Sequence, residues 1–378
     1  MLDYRQEIEN IFALRDSDPP ISITKYMDTL KAQKIILYGA GAFGCENLRL
    51  FQKYGVYPVA FLDQKAKPSE EKMGIPVYHP DDNCLTPAFR SECQVYISIT
   101  LAKHVMAGIK RDLAQWGYHN VKEVQTVTAR QVLFDGTENP LASYLAEQKE
   151  KIILAGSLMG DEESVRTYLS CIKAHLLRQY ENCAETDYPC QYFEAGVPLK
   201  NDFSCLIDCG AYNGDCLDAV LSRCGAIQTY IAFEPIQDNF AALSQKVDCC
   251  CGSIQNAYLY PCGVADSTGT AFFTDEASAS TMSAQGEKVL PIITLDDAIK
   301  QVPATFVKMD IEGAEPAALR GAVRLIQRWA PDLAVSVYHA ANHFWDIPCF
   351  IHKVNPNYKM YLRSHTPATL ESVLYCTC

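Results

Sequence analysis

No run of 18 consecutive apolar residues occurs in this 378-residue chain, so a membrane-spanning helix is not expected. Positive charge is scarce: 33 Lys and Arg stand against 45 Asp and Glu, a formal net charge of −12 at pH 7. Phosphate backbones are bound by clustered cations, which argues against a nucleic-acid partner. The N-terminal MLDYRQEIENIF lacks the basic-then-apolar order of a secretory leader. Pairs of cysteines at C-x-x-C spacing are missing although there are 17 cysteines, so a zinc finger is not expected. A disulfide framework belongs mostly to small secreted chains. These thiols are therefore read as reduced, many of them as small buried apolar residues, and the setting as cytoplasmic. The chain has 48% hydrophobic and 21% charged residues, enough apolar material for large cores. Its length suits two domains, or three.

Residues 1–33 read as a helical lead-in, broken at Pro19 and Pro20. From Lys34, short apolar runs (KIILYG, YPVAFLD, CQVYISIT, NVKEV) alternate with helical periods. That alternation predicts βαβ units and a parallel sheet over 34–134. Residues 135–200 have helical spacing and form a connector that packs over the second domain; Asp161 and the acids after it suit a capped helix ending near Arg178. A second strand–turn–helix series begins at Phe203 and fills 201–378, ending in two strands, YKMYLRSH and LESVLYCTC. The fold class is α/β, with two tandem Rossmann-like domains.

The first glycine turn is Gly39-Ala-Gly41-Ala-Phe-Gly44, between a strand and a helix. Glycines there let a pyrophosphate approach the backbone at a helix N-terminus, and Asp63 lies 19 residues beyond Gly44, near the position of a ribose-binding acid. The competing reading is a scaffold in which the glycines only pack strand on helix. Through YGAGAFG, VAFLD and GIPV, residues 34–100 resemble the nucleotide-sugar-binding N-terminal domain of some bacterial sugar acetyltransferases. The resemblance implies a nucleotide or nucleotide-sugar on Gly39, Gly41, Gly44 and Asp63.

The second turn, Asp208-Cys-Gly210-Ala-Tyr-Asn-Gly214-Asp215, places an acid at the strand end, ahead of the glycines. A pyrophosphate would be repelled there. S-adenosylmethionine carries an ammonium and a sulfonium instead, and Asp208 could pair with the ammonium directly or through water while Gly210 and Gly214 let the backbone lie against the ligand. Glu234 closes the next strand, 20 residues after Gly214, where a carboxylate can accept both ribose hydroxyls. Asp266, after GVA, is a candidate adenine contact.

The third cluster is Lys308-Met-Asp310-Ile-Glu312-Gly313-Ala-Glu315. Carboxylates at the carboxyl edge of such a sheet can orient an acceptor group and provide a route for its proton. Asp310, Glu312 and His339 are the candidate catalytic residues, with Glu315 read either as a site residue or as a helix cap; imidazole attracts interest because it titrates near neutrality. His339 could equally be a satisfied core histidine. Asp310, Glu312 and His339 could converge on Mg²⁺, but a fourth ligand is not evident, and no metal is expected. Ser278, Ser280 and Thr281 form a polar loop. Tyr338, Phe344, Trp345 and Tyr361 line either an acceptor pocket or the core.

Residues 203–340 resemble the FkbM family of S-adenosylmethionine-dependent methyltransferases. The carriers are LIDCGAYNGD, IAFEPIQDNFAAL, CGVADSTGTAFF, SASTMS, ITLDDAI, FVKMDIEGAEPAALRGA and APDLAVSVYH. The resemblance implies a seven-stranded sheet with an antiparallel last strand, S-adenosylmethionine as cofactor, and O-methylation of a sugar or polyketide hydroxyl. Cys209 and Tyr212 depart from the small or aliphatic residues common at their places. The expected function is thus O-methyl transfer to a sugar, glycan or other small metabolite, with self-association left open. The alternative is a nucleotide or nucleotide-sugar binding protein whose methyltransferase-like domain is inactive. An NAD-dependent oxidoreductase is disfavoured, since 34–130 offers no convincing acid–base pair.

Overall fold

The computed structural model describes residues 3–99, 103–181, 183, 191–200, 202–273 and 288–378. Six strands build the first sheet: β1 (Ile35–Tyr38), β2 (Ala60–Leu62), β3 (Glu71–Lys72), β4 (Ile75–Tyr78), β5 (Gln94–Ile97) and β6 (Asn120–Glu123). Their order is β3-β4-β2-β1-β5-β6, and every pairing but the β3/β4 hairpin is parallel. Strand β1 reads Ile-Ile-Leu-Tyr with no polar alternation because it is buried throughout at the sheet's centre.

The second half begins with β7 (Cys205–Cys209), β8 (Ile227–Phe233) and β9 (Ile254–Tyr260). A small separate sheet follows, from β10 (Gly263–Val264), β11 (Gly269–Phe273) and β12 (Lys288–Ile293), in the order β10-β12-β11. The sequence pattern shows strands there but not that they leave the main sheet. The main sheet resumes with β13 (Phe306–Met309), β14 (Asp332–Ser336), β15 (Lys359–Ser364) and β16 (Ser372–Thr377). Its seven strands run β15-β16-β14-β13-β7-β8-β9, and the last in the chain, β16, is antiparallel to both neighbours, as expected. From β7 the chain moves outward through β8 and β9, then returns to β13 on the other side. The connections leaving β7 and β13 therefore run in opposite directions along the sheet, which makes this the switch point at which ligands bind in open α/β sheets.

One face of this sheet is covered by helices Ala142–Ser157 and Glu162–Leu177. The second starts where Asp161 Oδ1 accepts the Ser164 N–H at 2.7 Å, and it ends at Arg178, whose φ of +53° breaks the helical path. Arg363 of β15, 1% exposed, clamps it: Nη2 is 2.7 Å from Asp161 Oδ2, and Nη1 donates to Ser164 Oγ at 2.7 Å. The lead-in divides between the two sheets. Ile8, Ile11 and Phe12 of helix Tyr4–Ser17 enter the core beneath the second sheet. Ile23, Met27 and Leu30 of helix Ile23–Leu30 enter the core beneath the first. Among the described residues, no helix is long and apolar enough to cross a membrane.

Candidate functional site

The turn after β7 is shaped by contact with the turn after β13. Gly210 has φ +78°, and a Cβ there would sit 1.9 Å from the Asp310 carbonyl oxygen, so only glycine lets the two turns touch. Gly214, at φ +81°, opens helix Asp215–Cys224. Glu234, at the end of β8, is 5% exposed and ties the first two turns together. Its Oε2 accepts the Tyr212 N–H at 3.0 Å and its Oε1 the Ile236 N–H at 2.8 Å. Burial raises the Glu234 pKa, opposed by those donors. Asn239 Nδ2 adds a long contact to Oε1 at 3.5 Å. Two carboxylate oxygens offer about four lone-pair sites, so about one acceptor position remains beside these three donors, and a second if the long contact gives way.

Glu234 borders a cavity of about 300 Å³ at the carboxyl ends of β7, β8 and β13, together with Gly210, Asp215, Lys308, Asp310 and Glu312. That volume falls at the lower end of small-molecule sites, roughly 300–1,000 Å³. Asp208 is not in its wall. The carboxylate is fully buried, 3.1 Å from Lys308 Nζ, and its Oδ2 accepts the Tyr230 hydroxyl at 3.0 Å. Lys308 also donates to the Gly210 carbonyl at 2.6 Å. Burial alone would lower the Lys308 pKa; Asp208 and Asp310 outweigh it and hold the ammonium firmly charged. The acid thus lies under the floor, and of the two contacts expected of it, with an ammonium directly or through water, the direct one is closed by its pairing with Lys308. Asp266 also stands apart, pairing with Arg320 at 2.9 Å at the surface.

Asp310 projects into the cavity, where Oδ2 accepts the Tyr192 hydroxyl at 2.7 Å and Oδ1 the Tyr338 hydroxyl at 3.4 Å. Glu312, at φ +56°, and Gly313, at +96°, turn the chain sharply into helix Glu315–Arg320. Glu315 is fully buried, and its Oε1 accepts the Ile311 N–H at 2.9 Å and the Gly313 N–H at 3.3 Å. The same oxygen lies 3.0 Å from His339 Nδ1. On the other side of the ring, Nε2 lies 3.3 Å from Glu312 Oε2 and 3.6 Å from Asp310 Oδ1. Burial would lower the His339 pKa, but Glu315, Glu312 and Asp310 together push it well above the usual imidazole range. An imidazolium cannot take a proton, so the near-neutral titration that made this residue attractive does not hold here. His343 is the opposite case: burial lowers its pKa. Phe344, Trp345 and Tyr361 are core residues; Tyr338 alone of the aromatic set borders the cavity.

Sequence reasoning passed over Gln191, Tyr192 and Glu371 and named Lys308 without giving it a role; all four are in the cavity wall. Glu371 Oε2 accepts from Gln191 Nε2 at 2.6 Å. Burial, and then Asp310, push the Glu371 pKa up to about 7. Nothing local marks it: it precedes β16, and only the insertion of β16 beside β14 carries it to the site. Ser278, Ser280 and Thr281 lie outside the described residues.

The first glycine turn is built differently. A Cβ on Gly44 would sit 1.9 Å from the Gly39 carbonyl oxygen, and one on Gly39, at φ +105°, 3.1 Å from that of Ser98. These two glycines serve close strand–helix packing. Gly41, ahead of helix Ala42–Lys53, faces open space. Asp63 is engaged by the turn itself, through the Ala40 N–H at 3.1 Å and the Lys65 N–H at 2.9 Å.

Residues 208–366 match the family described as the Methyltransferase FkbM domain, which implies methyl transfer as the reaction class. The crystal structure of Methyltransferase FkbM from Methylobacillus flagellatus KT is 20% identical, with a TM-score of 0.67 over 99% of this chain and 99% of that chain. The likeness shows a shared fold that extends through the N-terminal half. A putative rRNA-methylase from Clostridium thermocellum is 12% identical, with a TM-score of 0.31 over 47% of this chain and 87% of that chain. No curated protein matches the chain.

Proposed function

We propose that this protein transfers a methyl group from S-adenosylmethionine to a hydroxyl of a sugar, glycan or other small metabolite. The observation that carries the reading is Glu234. It is a largely buried carboxylate at a strand end, held by two backbone N–H groups, with acceptor capacity left over and a cavity in front of it. Such a carboxylate suits a ribose diol. The cradle also fits the rest of the donor: no phosphate-binding cation besides the buried, Asp208-paired Lys308 is in the wall described above, and Asp215, Asp310 and Glu312 suit a cationic ligand.

On this reading, Glu234 holds the ribose and the Gly210–Gly214 turn, with Asp215, holds the methionine end. When bound, the cofactor supplies an electrophilic methyl group on a sulfonium. Lys308 props the Gly210 carbonyl and keeps the turn in place. Asp310, fixed by Tyr192 and Tyr338, orients the acceptor hydroxyl. Glu371, with a pKa near neutrality, takes its proton, since a base works best with a pKa close to the operating pH. His339 holds Asp310 and Glu312 in place by charge. We place the reaction in the cytoplasm, where free thiols such as Cys249 and Cys251 persist. The engagement of Asp63 by Ala40 and Lys65 favours a scaffold role for the N-terminal turn over nucleotide binding. Calorimetric titration with S-adenosylhomocysteine tests the proposal; absence of heat and of thermal stabilisation at millimolar ligand would end it.

A further inference from the structure

Beside the cavity in front of Glu234 lies a second, larger space, a groove of about 830 Å³. Glu312, Ala314 and Tyr338 border both. The rest of its lining comes from two distant parts of the chain. Ala317, Ala340 and Leu370 belong to the second sheet's half, whereas Thr128, Gln131, Val132 and Leu133 belong to the segment that leaves the first sheet after β6. That segment is fixed to the site. The Ala341 N–H donates to the Leu133 carbonyl at 2.8 Å, and the Asp135 N–H donates to Asn342 Oδ1 at 3.0 Å. Phe134 is buried against Trp345, with ring centroids 6.2 Å apart, and Arg178 Nη1 donates to the Val132 carbonyl at 2.8 Å. Anchored in this way, the segment still leaves the side chains of Gln131 and Leu133 exposed.

Charge and polarity narrow what fits the groove. Among its described lining residues there is no lysine or arginine, and only Glu312 and His339 carry charge. His339 is already faced by Asp310, Glu312 and Glu315, at 3.6, 3.3 and 3.0 Å. A phosphate or carboxylate here would meet Glu312 with no free cation to pair with, and a desolvated, unpaired charge is costly. Val132, Leu133 and Leu370 supply apolar surface, and Thr128 and Gln131 supply neutral hydrogen-bonding groups. A mostly apolar lining with a few polar groups is the usual make-up of a small-molecule site. Here it suits a molecule with hydroxyls along one edge and an apolar ring face or substituent on another.

We propose that this groove binds the methyl acceptor, that the acceptor is an uncharged glycoside, and that residues 128–133 form one side of its site. The acceptor role rests on the methyl-transfer reading, because it is the shared border with the Glu234 cavity that makes the groove's occupant an acceptor. Phosphorylated and nucleotide-linked sugars are excluded by the lack of a free cation. The N-terminal half thereby takes part in acceptor recognition through the segment it sends to the site, and not through its glycine turn.

The full chain with saturating S-adenosylhomocysteine is titrated, by saturation-transfer-difference NMR, with a panel of phenyl hexosides, with glucose 6-phosphate and with UDP-glucose. At least one phenyl hexoside should bind saturably, and neither phosphorylated sugar should bind in the groove. Leu133→Glu should weaken hexoside binding about 10-fold or more, through loss of an apolar contact, while Leu133→Met should retain it. Gln131→Ala, which loses a neutral hydrogen bond, should weaken it about 2–10-fold. Both side chains are exposed, so these replacements do not disturb the core, and the heat of S-adenosylhomocysteine binding should stay the same in each variant. Three results overturn the assignment: no saturable hexoside binding at millimolar ligand, hexoside binding unchanged in both Leu133→Glu and Gln131→Ala, or binding of a phosphorylated sugar that Leu133→Glu weakens. Heat from S-adenosylhomocysteine without hexoside binding removes this inference alone. Absence of that heat removes the methyl-transfer reading, and the acceptor role with it.

Discussion

Lys308 Nζ lies 3.1 Å from Asp208 Oδ1, directly across the β13–β7 pairing, and both side chains are sealed from solvent. Lys308 forms part of the floor of the cavity, with Asp208 beneath it, and through the Gly210 carbonyl holds up the turn above. An acid at the end of β7 thus acts on the site through a lysine on β13.

Removing one partner strands a buried charge. Lys308→Met should cost about 3–5 kcal/mol in urea unfolding, while the double replacement Asp208→Asn with Lys308→Met should cost clearly less. If the double variant is as unstable as the sum of its parts, the two residues are not coupled.

Glu234→Ala removes the acceptor for the Tyr212 and Ile236 N–H groups as well as the proposed ribose contact. Bonds to a charged acceptor are worth about 1.5–3 kcal/mol, so S-adenosylhomocysteine should bind about 10–100-fold more weakly. Glu234→Gln, which keeps one carbonyl oxygen, should fall between. Calorimetry on both variants decides, and equal affinity to the parent would contradict the ribose assignment.

Glu371 is the group with a pH signature. Its folded pKa, about 7, lies above the ordinary glutamate value, through burial and the nearby Asp310 and Glu312 charges, with His339 opposing. The folded state then binds the proton more tightly than the unfolded state. Its contribution to stability is full below the unfolded pKa and is lost as pH rises through about 7. Glu371→Gln should therefore raise the melting temperature relative to the parent at pH 8 and leave it nearly unchanged at pH 4.5. In methyl-transfer assays the parent rate should climb with pH through neutrality, and the variant should lose that rise.

Residues 201–378 alone should not form a stable domain. Deleting 1–200 strips away Ile8, Phe12, Leu145, Ile152 and Leu176, which share the core beneath the second sheet, and the Asp161 and Ser164 partners of buried Arg363. Each large apolar side chain so removed withdraws roughly 1.5–3 kcal/mol of burial. Expression of the fragment with near-ultraviolet circular dichroism is the check; a cooperative melt near that of the full chain would count against the packing described here.

Much of the site was legible because its parts are local. The Gly210 and Gly214 turn and the Asp310–Glu315 run each occupy a few consecutive residues, and glycine at a strand end states its own reason. Tyr192 and Glu371 were not legible, because they reach the site from distant segments: Tyr192 meets Asp310 across 118 residues of chain. The partner of Asp208 was hidden by register, since only the alignment of β13 with β7 sets Lys308 opposite it.

The chain's own order of residues determined the strands, the turns between them, the parallel-dominated architecture with its reversed last strand, and the placing of acids near the carboxyl edge. Those depend on apolar periodicity and on conformations that few residue types adopt, both of which are local. Tertiary structure alone decided what each acid does. Burial and through-space charge put Asp208 under the floor, left Glu234 with acceptor capacity, moved Glu371 toward neutrality and kept His339 charged, because those energies depend on neighbours that the linear order does not name.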